Sequence, residues 1–238
     1  SKLEYIYGDL EIYENDILPT LEGLENLQGV DGGLYVMFNN SLIDIDGLLG
    51  IQSVGWMELH DNDLLPNVDG LKNIKSTSGA YIAENDNLLN LDGLVGFSSV
   101  DDGLYIWNND SLTNMDGLQN LVNVGWLEII DNNSLEDISG LDQLVSVGGL
   151  YIYNNNSLPN VDGLMQLKIV DWSLQIVDND QISSLSGFNN LEYVGENLEI
   201  NGNSELTNLD ALSNLAFVGW NLEINGNDSL ENVEGISN

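Results

Sequence analysis

Asparagine recurs in this chain at Asn15, Asn39, Asn62, Asn85, Asn109, Asn132, Asn155, Asn179, Asn203 and Asn227, in steps of 23 or 24 residues. Five residues before each one lies an anchor position: Leu10, Leu34, Met57, Ala80, Leu104, Leu127, Leu150, Leu174, Leu198 and Leu222. Two residues past each anchor is a second aliphatic side chain, from Ile12 and Val36 to Ile200 and Ile224. Self-similarity at a fixed period over the whole length means stacked supersecondary units, each too small to bury its own apolar face. No fold without that repeat accommodates the pattern.

Within a unit, the spacing changes from two to three. Anchor and second aliphatic share one face of a strand, as Leu104 and Ile106 do. Leu112, Met115, Leu118, Leu121 and Val124 then follow at three-residue steps, which suit turn-rich or 3₁₀ backbone rather than a continued strand. Pro19, Pro66 and Pro159 each fall nine residues past an anchor, outside the strand, where a missing ladder donor does no harm. Each unit is therefore expected to be one coil of a solenoid.

The asparagine column is expected to point inward, its amides bonding the backbone of their own coil and the next. Asn39, Asn109, Asn132, Asn155 and Asn227 also begin N-x-S sequons, but an inward column leaves those sites unusable for glycosylation.

Segments such as VGWLEIIDNNSLEDISGLDQL and VGGLYIYNNNSLPNVDGLMQL resemble leucine-rich repeats of the L-x-x-L-x-L-x-x-N type. The variant is similar to the receptor L-domain, and to repeats in secreted or surface proteins of microbes. The chain lacks the cysteine caps of the animal receptor domains, and its return path is too short and too rich in Gly, Asn and Asp for a long helix. The resemblance implies a mainly β, right-handed leucine-rich-repeat solenoid of ten coils, with one parallel β-sheet and irregular or 3₁₀ return segments. It also implies an extracellular or cell-surface location and a role in recognition or adhesion. The expected organisation is one solenoid over residues 1–238. LEYIYGDL at 3–10 matches LEYVGENL at 191–198, so the chain opens late in a repeat, and it closes mid-repeat at Asn238. It is read as a piece of a longer protein.

Composition removes several functions. Four Lys and Arg against 39 Asp and Glu give a formal charge of -35, which excludes a phosphate-binding footprint and attraction to anionic lipid. There is no cysteine and only one histidine, His60. No apolar run reaches membrane-span length, so membrane insertion is not expected. No nucleophile elbow, phosphate-binding glycine loop or H-E-x-x-H occurs. The acids lie in columns rather than as one pair in a cleft. No catalytic residue is assigned, and an enzyme is not expected.

Binding is expected on the outward side of the strands, one and three residues past each anchor. Those positions carry Tyr, Trp, Met and Ile, among some Glu, in the first seven rungs and reduce to Glu and Asn in the last two. Tyr35, Tyr81, Tyr105, Trp107, Ile130, Tyr151 and Tyr153, with Glu128 and with Trp126 just before its strand, form the candidate site for a protein or carbohydrate ligand. An apolar patch on an acidic surface marks an interaction site; aromatic neighbours also stabilise a sheet by themselves, and both readings stand.

The acids are read in two sets. Twelve past each anchor lie Glu22, Asp46, Asp69, Asp92, Asp116, Ser139, Asp162, Ser186, Asp210 and Glu234. Ser replaces Asp twice, which suits a turn cap better than a calcium ligand. The pairs Glu14/Asp16, Asp61/Asp63, Glu84/Asp86 and Asp178/Asp180 offer Ca²⁺ ligands at the strand exits, or simply a solvated edge. No cofactor is required and no metal ligand is assigned. Ala80, Thr77, Lys72 and Lys75 mark units three and four as a drifted repeat.

Overall fold

A computed structural model describes residues 2–237; the mid-repeat close at Asn238 lies outside them. Among the described residues, fourteen strands form one parallel sheet and there is no α-helix. Ten rungs carry the anchors: β2 (Leu10–Tyr13), β3 (Gly29–Met37), β4 (Ser53–His60), β5 (Ser76–Ala83), β6 (Ser99–Trp107), β7 (Asn123–Ile130), β8 (Ser146–Tyr153), β10 (Leu174–Val177), β12 (Leu198–Asn201) and β14 (Leu222–Asn225). Each anchor pairs with the next in register, from Leu10 with Leu34 to Leu198 with Leu222. At roughly 4.8 Å between parallel strands, the sheet runs on the order of 45 Å. The architecture is a solenoid with strands on one side and three-residue 3₁₀ turns on the other, from Asp46–Leu48 to Glu234–Ile236.

Short strands β1 (Tyr5–Ile6), β9 (Ile169–Val170), β11 (Tyr193–Val194) and β13 (Phe217–Val218) precede the rungs of four coils; in β3–β8 that leading segment is continuous with the rung. Here the two coil lengths find their explanation. Two residues separate Val54 from Met57, whereas three separate Val30 from Leu34 and Val100 from Leu104. Where the lengths meet, the register shifts by a bulge, between Val30 and Gly33 and between Val100 and Gly103. The additional residue of a 24-residue coil is absorbed there, and rung and asparagine keep their phase.

The side chains at three-residue steps fill the interior. Leu112, Met115, Leu118 and Leu121 are all completely buried, as are the anchors from Leu34 to Leu198, and each buried leucine contributes about 2 kcal/mol. Ala80 is also fully buried, and its coil carries Phe97, fully buried, where other coils have Leu or Ile. Thr77, in the place of valine, donates its hydroxyl to Gly55 O (3.0 Å) or Gly79 O (2.9 Å). The drifted unit thus keeps a sealed core.

The asparagines point inward. The eight from Asn39 to Asn203 are fully buried. Asn62 shows the bonding: Nδ2 donates to Val36 O of the preceding coil (2.8 Å) and to His60 O of its own (3.1 Å), while Oδ1 accepts from Asn39 N (3.3 Å). The amide replaces the strand partners that the chain loses as it turns. Of the sequon asparagines, Asn39, Asn109, Asn132 and Asn155 have no exposed surface.

One residue before each asparagine the backbone is left-handed in all ten coils, at Glu14, Phe38, Asp61, Glu84, Asn108, Asp131, Asn154, Asp178, Gly202 and Gly226. The residue stays on the ladder, as Phe38 N donating to His60 O at 3.0 Å shows. Asn, Asp and Gly tolerate this conformation; phenylalanine does so at a cost.

The acidic column behaves differently from expectation. The side chains of Asp46, Asp69, Asp92 and their equivalents open each 3₁₀ turn but make no capping bond. Their backbone N–H groups are capped instead, by the side chain two residues earlier: Asp44 Oδ1 at 2.6 Å, Asn67 Oδ1 at 3.1 Å, Asn90 Oδ1 at 3.1 Å. Both columns hold good capping residues, and the Asx-turn geometry selects the earlier one. The two serines relieve charge rather than cap, since Ser139 Oγ donates to Asp137 (2.9 Å) and Ser186 Oγ to Asp162. Glycine follows most of these acids, though alanine follows Asp210, and at most of these glycines the coils touch; a Cβ on Gly117 would sit 1.7 Å from Leu91 O.

Candidate binding face

Strand alternation places the outward side chains of adjacent rungs in rows. Along one row Glu58, Tyr81, Tyr105, Glu128, Tyr151 and Gln175 are in register; along the other, His60, Ala83, Trp107, Ile130, Tyr153 and Val177. All nine candidate residues are half-buried rather than free. Their rings form two groups.

The first group centres on Tyr81. The Trp107 ring meets it edge-on at 5.2 Å between centroids, His60 meets it at 5.6 Å, and Tyr105 lies 6.4 Å away. Phe38 joins through His60 at 5.1 Å, and Trp56 through Tyr105 at 6.4 Å. Ala83, although outward, is fully buried between His60 and Trp107 in the row. Its small side chain leaves the space in which the rings on either side both reach Tyr81. The second group is Trp126, Tyr151, Tyr153 and Trp172: Trp126 stands edge-on to Tyr151 at 5.0 Å, Tyr151 stacks on Tyr153 at 5.6 Å, and Trp172 lies 5.4 Å from Trp126. Tyr35 is in neither group; it lies between Glu11 and Glu58 in its row.

Glu128 and Ile130 occupy the seam between the groups. Glu128 accepts a 2.7 Å hydrogen bond from Trp126 Nε1. Burial pushes its carboxyl above the usual carboxylate range, and the indole N–H works against that shift. Trp107 Nε1 is buried without a hydrogen bond of its own. The hydroxyls of Tyr81, Tyr105, Tyr151 and Tyr153 are all raised, by burial first and by neighbouring carboxylates second. They stay neutral donors for a ligand in ordinary buffers. Chemically, the face offers flat apolar rings, phenolic and indole donors and one half-desolvated acceptor.

The same rings also shield backbone. Trp56 is flanked in register by Gly33 and Gly79, and Trp126 by Gly103 and Gly149. A Cβ on Gly79 would lie 2.1 Å from the Trp56 ring, and one on Gly103 would lie 2.5 Å from the Tyr105 hydroxyl.

Sequence reasoning missed Trp172 and Phe38. Trp172 precedes its anchor by two residues, not by one as Trp126 does, and the longer coil brings it alongside. Phe38 occupies the left-handed position, whose direction no strand alternation predicts. The acid pairs Asp61/Asp63 and Glu84/Asp86 line one open depression together with Asp110 and Asp131. Burial raises the carboxyls of Asp61 and Asp86, with the neighbouring acids adding to it.

The fold and this face define a parallel-sheet solenoid with an aromatic outer surface. No protein-family model matches the chain, and no curated protein matches it. Among the described residues, no helix is long and apolar enough to cross a membrane.

Proposed function

We propose that this chain is a non-enzymatic recognition module of the leucine-rich-repeat, L-domain-like kind, acting outside the cell and binding a protein or glycan through its aromatic face. The observation that carries the reading is the pair of ring groups flanking Glu128 on a surface with a formal charge of -35. Flat rings bordered by acids and amides suit the apolar faces and hydroxyls of a sugar chain, or the anchor residues of a protein partner. The extracellular placement rests on the repeat resemblance and on the acidity. A second reading, a rigid acidic spacer in a surface adhesin, is favoured by the rings that lie over Gly79 and Gly103, because a shielding role needs no ligand.

The test is retention of defined glycans and purified surface proteins by wild type and by a folded Trp107→Ala/Tyr153→Ala double variant. Retention by wild type and loss in the variant supports recognition through this face. Retention by neither moves the spacer ahead, and equal retention by both places binding elsewhere.

A further inference from the structure

The only histidine in the chain lies at the edge of the aromatic face, between two carboxylates. His60 Nε2 is 3.0 Å from Asp61 Oδ2 and 3.5 Å from Glu84 Oε2. The atom has no solvent-accessible surface, yet it makes a hydrogen bond to neither oxygen. The imidazole nitrogen and the two carboxylates therefore lie side by side without a hydrogen bond joining the ring to either acid. A ligand atom from each residue can be chosen so that all lie within 4.8 Å of one another.

Local backbone explains how consecutive residues converge. Neighbours on a strand point to opposite faces, which would separate His60 from Asp61. Asp61 is left-handed, with φ 53°, and Glu84 occupies the same position in the next coil, also at 53°. The turn at the rung exit thus brings two carboxylates from adjacent coils beside an outward imidazole. Phe38 and Tyr81 hold the ring from either side. The other ring nitrogen, Nδ1, lies 3.8 Å from Glu58 Oε1, beyond hydrogen-bond distance, so that carboxylate adds negative charge behind the ring without bonding to it.

We propose that His60, Asp61 and Glu84 bind a divalent transition ion of the zinc class, with water completing the coordination. A tetrahedral ion with bonds of about 2.0–2.1 Å keeps its ligands roughly 3.3 Å apart. The observed 3.0 and 3.5 Å bracket that figure. One nitrogen and two carboxylates with an open position is a zinc-type donor set, and the imidazole discriminates against Ca²⁺ and Mg²⁺, which take oxygen. The adjoining depression, with Asp63, Asp86 and Asp110, supplies a negative field that concentrates cations. The site stands independently of the ligand reading of the aromatic face.

Calorimetric titration with ZnCl₂ tests it, on wild type and on His60→Gln, Glu84→Gln and, as a control at the equivalent position of another coil, Asp178→Asn. The expected result is one equivalent bound by wild type and Asp178→Asn, and binding at least about tenfold weaker in His60→Gln and Glu84→Gln, with Ca²⁺ unable to compete at equal concentration. Because there is a single histidine, its ring-nitrogen NMR signals report the site in the unmodified protein: zinc should shift Nε2 more than Nδ1. Absence of binding, several weak equivalents indifferent to His60→Gln, or an unmoved His60 ring would each overturn the proposal.

Discussion

Trp107 stands edge-on to Tyr81, with planes 85° apart and centroids 5.2 Å apart, while the Ala83 next to Trp107 in its row is fully buried. The contact exists because the intervening outward position is small. Replacing Ala83 with leucine should force the rings apart at a cost of about 1–3 kcal/mol, the usual penalty for overpacking. The expected signature is a lower melting temperature and a reduced near-ultraviolet circular dichroism signal, with the far-ultraviolet spectrum retained. An unchanged near-ultraviolet signal would mean that the ring group does not depend on the gap.

Acid should stabilise this protein before it harms it. Burial holds Glu128, Asp61 and Asp86 above the ordinary carboxylate range, so between the unfolded and folded values the folded chain binds more protons. Stability then rises as pH falls through the folded values, and the gain is complete below about pH 4. Relief of like-charge repulsion acts in the same direction. Glu25 is shifted downward by the N–H of Gly23, but it is fully exposed. Melting temperatures at pH 5.0 and 7.5 are the measurement: pH 5.0 should be the higher, and Glu128→Gln should narrow the difference.

The asparagine ladder predicts position-dependent losses. Asn109 is fully buried; Nδ2 donates to Ile82 O (3.0 Å) and Trp107 O (2.9 Å), and Oδ1 accepts from Asn85 N of the preceding coil (3.3 Å). Asn109→Ala leaves two carbonyls and an N–H of the preceding coil without this partner. The expected cost is more than about 2 kcal/mol by urea denaturation. The exposed Asn15 should cost under about 1 kcal/mol on the same change.

Phe38 carries a left-handed backbone with φ 55° and is 41% exposed. Asn108 and Asn154 occupy the same position in their coils. Phe38→Asn removes the clash of a bulky side chain with this backbone and should stabilise by about 0.5–1 kcal/mol. A loss instead would show that the ring contact with His60 outweighs the strain.

The sequence is informative where one residue type has one job. The inward asparagine repeats without exception and the anchor is leucine in all coils but those of Met57 and Ala80, so strand, register and core follow from their spacing. The acids after each strand were harder to place. Asp46 and Asp44 are both competent caps, and only the turn geometry shows that Asp44 Oδ1 takes the N–H. The convergence of His60 with Asp61 and Glu84 is hidden for a related reason: period-two reasoning stops at a left-handed residue. Trp172 was concealed by a single added residue that shifts its phase against Trp126.

That added residue has a wider meaning. Between Val30 and Leu34 the chain takes three residues, and between Val54 and Met57 two, yet Leu34 still faces Met57 and Asn39 still bonds Asn62. Length variation is confined to one site per turn, between the leading strand segment and the rung, both of which keep their pairing with the neighbouring coils. Units of either size are therefore interchangeable building blocks. Recombination that copies, deletes or shuffles whole units yields a chain whose new junctions match as well as the old, so the array can be lengthened or its outer face rewritten without redesigning its interior.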